Sequence, residues 1–109
     1  MTEIVTVKEF YDSGNIKTIY GTLNGKQEGH FLYFFENGNK AIEGNYIQNC
    51  RHGKNLTYYE NGVLKSSGFY QADKKEQWFL VYYPSGHLHG ECFYKDGKPE
   101  GICKIFYDD

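Results

Sequence analysis

Aromatic residues return along this chain at a fixed interval. The pair Phe10-Tyr11 recurs as Phe34-Phe35, Tyr58-Tyr59, Tyr82-Tyr83 and Phe106-Tyr107, each step being 24 residues. Gly14, Gly38, Gly62 and Gly86 each stand three residues after the second aromatic of a pair. Self-similarity at such a period marks one supersecondary unit stacked on its own copies. No helical period runs through any segment. The pattern predicts an all-β, elongated, twisted antiparallel β-meander of about nine strands, built from hairpin repeats in a single domain over 1–109. The half-repeat 1–9 leads into repeats 10–33, 34–57, 58–81 and 82–105, with a partial repeat at 106–109. Each repeat adds two strands about 4.8 Å apart, so four repeats advance about 40 Å.

The turns follow from backbone chemistry. Asp12-Ser13-Gly14, Glu36-Asn37-Gly38, Glu60-Asn61-Gly62 and Pro84-Ser85-Gly86 occupy equivalent positions. Asn-Gly alone would suit a two-residue hairpin, but Pro84 fixes φ near −65° and so suits a type I turn. A three-residue loop, type I closed by a left-handed glycine, fits all four copies. The second turn falls at Gly25, Asn49, Asp73 and Gly97, residue types that tolerate positive φ. Gly29, Gly53 and Gly101 follow four residues later, with Gln77 as the exception.

With this loop, opposed residues are expected to share numbering parity. One face then gathers Leu32, Leu56 and Leu80, the column from Phe10 through Phe34, Tyr58 and Tyr82 to Phe106, Ile16 with Leu64 and Leu88, and Tyr46, Tyr70 and Tyr94 beside Gly44 and Gly68. These uniform columns are the expected core. The other face mixes Lys17, Lys65, Glu43, Glu91, Asn45, Asn55 and Thr57 with aromatics and is the expected working surface. Residues 4–11 and 101–107 form the edges, where Lys8, Glu9, Lys104, Asp108 and Asp109 oppose edge-to-edge association.

Composition narrows the function. Aromatics make up 18% of 109 residues, with 13 glycines and two prolines, as short strands in tight turns require. The formal charge of −2 offers no basic field for nucleic acid or anionic lipid. Twelve Lys and Arg against fourteen acids leave the rings without interleaved cations, and Lys74-Lys75 is too short a cluster for lipid. No apolar run is long enough for a membrane span, and Met-Thr-Glu-Ile-Val does not read as a secretory leader. Cys50, Cys92 and Cys103 form an odd set without a CxxC pair, read as reduced thiols in a cytoplasmic protein.

The stretches 58–78 and 33–49, each an aromatic pair, an Asn-Gly turn and a Gly-x-Tyr, resemble the MORN repeat. More narrowly the chain is similar to the short bacterial variety found in YwqK-family antitoxins and in immunity proteins encoded beside secreted toxins. The resemblance covers about residues 10–107. It implies a non-catalytic protein-binding platform without cofactor, and a toxin as protein partner. Tyr20 and Cys92 depart from it where Gly44 and Gly68 stand, and Trp78 occurs in the third copy alone. The outer copies are therefore expected to be bent or locally bulged.

Candidate chemistry is sparse. His87 and His89 lie two apart with Cys103 on the next strand, a spacing that can hold a metal; two exposed histidines are the simpler reading. Cys50-Arg51-His52 sits in a turn without the positioned base and pocket a nucleophile needs. Ser66-Ser67 has no nucleophile elbow. No catalytic, cofactor-binding or metal-binding residue is assigned, and the chain is expected not to be an enzyme. Phe69, Phe79, Val81, Tyr83, Phe93, Ile105 and Tyr107 place apolar surface on the mixed face, the expected partner-binding set. Toxin neutralisation by occlusion is the leading expectation. A scaffold that self-assembles, as a homodimer or a membrane-associated assembly, is the alternative.

Overall fold

The computed structural model describes residues 3–108; Asp109, one of the charges placed at the edge, lies outside them. Among the described residues, twelve antiparallel strands form one sheet without a crossover. In chain order they are β1 (Val5–Phe10), β2 (Ile16–Leu23), β3 (Lys26–Gln27), β4 (Gly29–Phe34), β5 (Lys40–Ile47), β6 (Cys50–Arg51), β7 (Gly53–Tyr58), β8 (Leu64–Gln71), β9 (Lys74–Tyr82), β10 (Leu88–Lys95), β11 (Lys98–Pro99) and β12 (Lys104–Ile105). Breaks at Glu28 and His52 divide two long runs into β3 with β4 and β6 with β7. The last run keeps β11 and β12, both paired with β10. The meander thus has nine runs alternating in direction, and extents of 48 × 34 × 14 Å show a single layer.

The turns take the expected geometry with one addition. The Gly14, Gly38, Gly62 and Gly86 N–H groups donate to the Tyr11, Phe35, Tyr59 and Tyr83 carbonyls at 2.8–2.9 Å, with glycine φ between +90° and +97°. At the second turn two consecutive residues have positive φ: Asn24-Gly25, Gln48-Asn49, Ala72-Asp73 and Asp96-Gly97. That is a type I′ hairpin, whose twist matches the flanking strands. Gln77 adopts φ +65°, like Gly29, Gly53 and Gly101 in the same column, so it is exceptional in residue type and not in conformation.

The faces differ from the sequence expectation. Lys17, Ala41, Lys65 and His89 each lie between paired positions and have no directly opposed residue. One extra residue in the second strand of every hairpin reverses its side-chain alternation. Beyond the bulge Phe31 opposes Gly44, Asn55 opposes Gly68 and Phe79 opposes Cys92. Tyr46, Tyr70 and Tyr94 therefore lie with Phe31 and Phe79, away from Leu32, Leu56 and Leu80. The uniform face splits in two. The core joins residues from both expected faces, around Phe31, Tyr70, Thr18 and Ser66, at 2%, 6%, 8% and 9% exposure. Phe31 packs on Tyr33 and Tyr46 with centroids 5.3 and 4.6 Å apart. A shallow cavity opens here, making this the cleft face.

Glycine makes the close packing possible. A Cβ at Gly44 would stand 2.8 Å from the Phe31 ring, and one at Gly68 would collide with the Phe79 ring. In the last copy, the position of Gly68 and Phe79 is taken by Cys92 and Cys103, joined as a disulfide with Cα atoms 4.4 Å apart. This corrects the expectation of three reduced thiols, leaving Cys50 free. Directly opposed residues of a non-hydrogen-bonded antiparallel pair approach to about 4.5 Å, which a disulfide can span.

Candidate protein-binding surface

The expected partner-binding residues divide between the faces. Phe79 and Val81 belong to the cleft face: Phe79 opposes Cys92 and Val81 opposes Gly90. The Tyr83 hydroxyl donates to the Phe106 carbonyl at 2.7 Å, so this residue ties neighbouring repeats together. Ile105 and Tyr107 are exposed on the C-terminal edge. Phe69 and Phe93 lie on the opposite face, where Phe93 meets Trp78 edge-on at 5.4 Å.

Trp78, absent from the expected set, is the most prominent member of this surface at 52% exposure. Its column could have revealed it: His30, Lys54, Trp78 and Ile102 are equivalent positions. The row across the opposite face is polar at His30, Asn45 and Lys54, then apolar at Phe69, Trp78, Phe93 and Ile102. Ile102 is 80% exposed. Lys54 and Glu76 oppose Phe69, while Glu91 opposes Leu80 and Lys104. The result is an apolar stripe over the C-terminal repeats with charges of both signs beside it. The tryptophan is half open because its neighbours cover one ring edge and the single-layer sheet supplies no second layer.

The histidines are held apart. His87 Nδ1 lies 2.8 Å from Asp108 Oδ1, whereas the His89 ring stacks on Tyr83 at 4.2 Å. Cys103 is committed to its disulfide, so the three do not converge as metal ligands. Ser85 Oγ also donates to Asp108 Oδ1, at 2.7 Å. Serine and histidine share one carboxylate and do not form a nucleophile–base relay. Both contacts hold the Asp108 carboxyl below its usual pKa, the Ser85 hydrogen bond foremost. Cys50 and His52 border a small hollow with Ile47 and Ala72. Beside it Asp73 accepts from the Arg51 backbone N–H and from Arg51 Nε, at 2.8 and 3.2 Å. The backbone hydrogen bond is the main cause of that carboxyl's lowered pKa.

Repeat-to-repeat hydrogen bonds stiffen the surface. Tyr11 and Tyr59 donate to the Phe34 and Tyr82 carbonyls at 2.6 and 2.7 Å. At the outer turns Asn15, Asn37 and Asn39 reach across to the Glu36 and Glu60 carbonyls. At the other row the Asn49, Asp73 and Gly97 N–H groups donate to the Gln27, Arg51 and Lys75 carbonyls at 3.0–3.1 Å, so the stripe sits on a backbone fixed along both rows of turns.

No curated protein matches the chain. A sequence model described as the MORN repeat variant matches residues 27–48, 51–72 and 79–96, more than half of it. The three matches fall on the central hairpins β4–β5, β7–β8 and β9–β10. Hairpin geometry, period and matched residues agree, and the chain belongs to the MORN repeat variant family.

Proposed function

We propose that this protein is a non-catalytic binding module, an antitoxin or immunity protein that neutralises a toxin by covering its working cleft. Membership in the MORN repeat variant family favours a protein-binding or scaffold module. The observation that carries the reading is the stripe of Phe69, Trp78, Phe93 and Ile102. Exposed aromatic anchors beside charges of both signs suit a protein partner, and tryptophan is among the residues that contribute most at interfaces. Trp78 seats in the toxin, while Lys54, Glu76, Glu91 and Lys104 set its orientation. No described helix is long and apolar enough to cross a membrane. The odd cysteine set reads as cytoplasmic, whereas the Cys92–Cys103 bridge favours an oxidising compartment for the encounter.

Capture from the native host tests the reading. Wild-type protein is expected to retain a toxin and rescue cells that express it. Trp78→Ala, which removes a half-exposed ring, is expected to weaken binding by roughly 2 kcal/mol without unfolding the sheet. Capture of no toxin together with failed rescue would overturn it. Ile4, Val5 and Phe10, exposed at the first edge, favour the second reading, a self-assembling scaffold. Light scattering that shows a dimer at all concentrations supports that alternative.

A further inference from the structure

The cleft face carries a site that the stripe on the other face does not use. Phe31 and Phe79 occupy equivalent positions one repeat to either side of Asn55. With Asn55 between them and Gly44 and Gly68 flanking it, β7 lacks the ring its neighbours carry. A hollow of about 240 Å³ remains, bordered by Tyr33, Tyr46, Tyr70, Phe79 and Arg51. Asn55 Oδ1 lies in its floor, buried and without a hydrogen-bond partner. A buried acceptor left unmet costs free energy, so a polar asparagine that leaves the hollow open is not there for stability.

Cations alternate with rings beside this hollow. Arg51 opposes Tyr46 and Lys75 opposes Tyr70, giving the order Tyr46, Arg51, Tyr70, Lys75, Tyr94 across the sheet. The Arg51 guanidinium lies 4.3 Å from the Tyr70 centroid, and Lys75 Nζ lies 4.1 and 4.9 Å from those of Phe79 and Tyr94. Arg51 gives Nε to Asp73, which leaves its other nitrogens free to meet an anion. The carboxylates of Glu28 and Glu76 are occupied by the Gln48 and Asp96 N–H groups. Among the described residues Lys75 has no carboxylate within ion-pair distance.

Arg51 and Lys75 are one repeat apart, two strand spacings or about 10 Å. A polyproline II segment rises about 3.1 Å per residue with three residues per turn, so its side chains at i and i+3 point the same way about 9 Å apart. We propose that the cleft face binds an acidic polyproline II segment of a partner protein, its carboxylates at i and i+3 meeting Arg51 and Lys75. The two intervening residues, best as prolines, lie between the two cations and across the mouth of the hollow. Aromatic-walled grooves suit such segments because the ligand is already extended and loses little entropy on binding. This site is independent of the Trp78 stripe.

A fluorescent peptide of sequence Pro-Pro-Asp-Pro-Pro-Asp-Pro-Pro, followed by anisotropy, is the test. Saturable binding that weakens as salt is raised is expected, with the lysine-for-aspartate peptide failing to bind. Lys75→Gln is expected to weaken binding about fivefold, as loss of one exposed ion pair does. Asn55→Leu, which removes the unmet acceptor and fills the hollow, is expected to raise the melting temperature while weakening the peptide, a pair of effects that a purely structural asparagine would not give. Trp78→Ala leaves peptide binding unchanged, so failure here and failure of toxin capture are separable. Absence of saturation, equal binding by Lys75→Gln, or tighter binding of an oligothymidylate would overturn the assignment.

Discussion

Phe35 is the one member of its column, from Tyr11 through Tyr59 to Tyr83, without a hydroxyl. The tyrosines each donate to a carbonyl 23 residues ahead; the equivalent acceptor for position 35 is Tyr58. Phe35→Tyr is expected to add about 1 kcal/mol of stability and Tyr59→Phe to remove about as much, measured by urea denaturation. Gln77 is a second exception. A side chain at φ +65° costs about 1 kcal/mol where glycine would not. Gln77→Gly is therefore expected to shift the urea midpoint upward, less whatever the freer unfolded chain takes back. The column of glycines around Gln77 was legible from the sequence. That Ala72 also takes positive φ was not, because nothing local marks an alanine as a left-handed turn residue.

At the level of elements, the hairpin and both its turns could be read from glycine spacing and Pro84. The bulges at Lys17, Ala41, Lys65 and His89 could not: two lysines, an alanine and a histidine share no bulge signature, and a bulge is set by how the three-residue loop hands the chain into the second strand. Without them the alternation of every second strand runs the other way, so the sequence groups Leu32, Leu56 and Leu80 with Tyr46, Tyr70 and Tyr94, of which only the tyrosines lie on the core face. The C-terminal element is pinned by the Cys92–Cys103 bridge, by the Phe106 N–H donating to the His89 carbonyl at 2.7 Å, and by Asp108 on Ser85 and His87. The Asp108 carboxyl is held below its ordinary pKa. Its contribution is thus complete above the unfolded value of about 4 and disappears as pH falls through the lower folded value. Amide exchange near residues 106–108 is expected to rise, relative to the pH-corrected intrinsic rate, as the solution is acidified below pH of about 4, with Asp108→Asn already raised at neutral pH. Unchanged protection across that range would show that the carboxylate does not hold the terminus.

For the whole molecule, the period and the composition predict the antiparallel meander of stacked hairpins, since no hairpin of this length can bury its own aromatics alone. The candidate surface was legible only in part. Apolar residues interrupt a polar column at Phe69 and Phe93 and equally at Trp78 and Ile102, but only the true register sets the four side by side on one face. The cation–ring row of the cleft face depends on contacts between repeats that no local pattern records. The odd number of runs has a further consequence. The first and last strands point the same way, so a copy placed head to tail would meet its neighbour through two parallel strands and break the antiparallel lattice. Half a turn about the stacking axis restores the antiparallel ladder, but with the two faces of the sheet exchanged from one copy to the next.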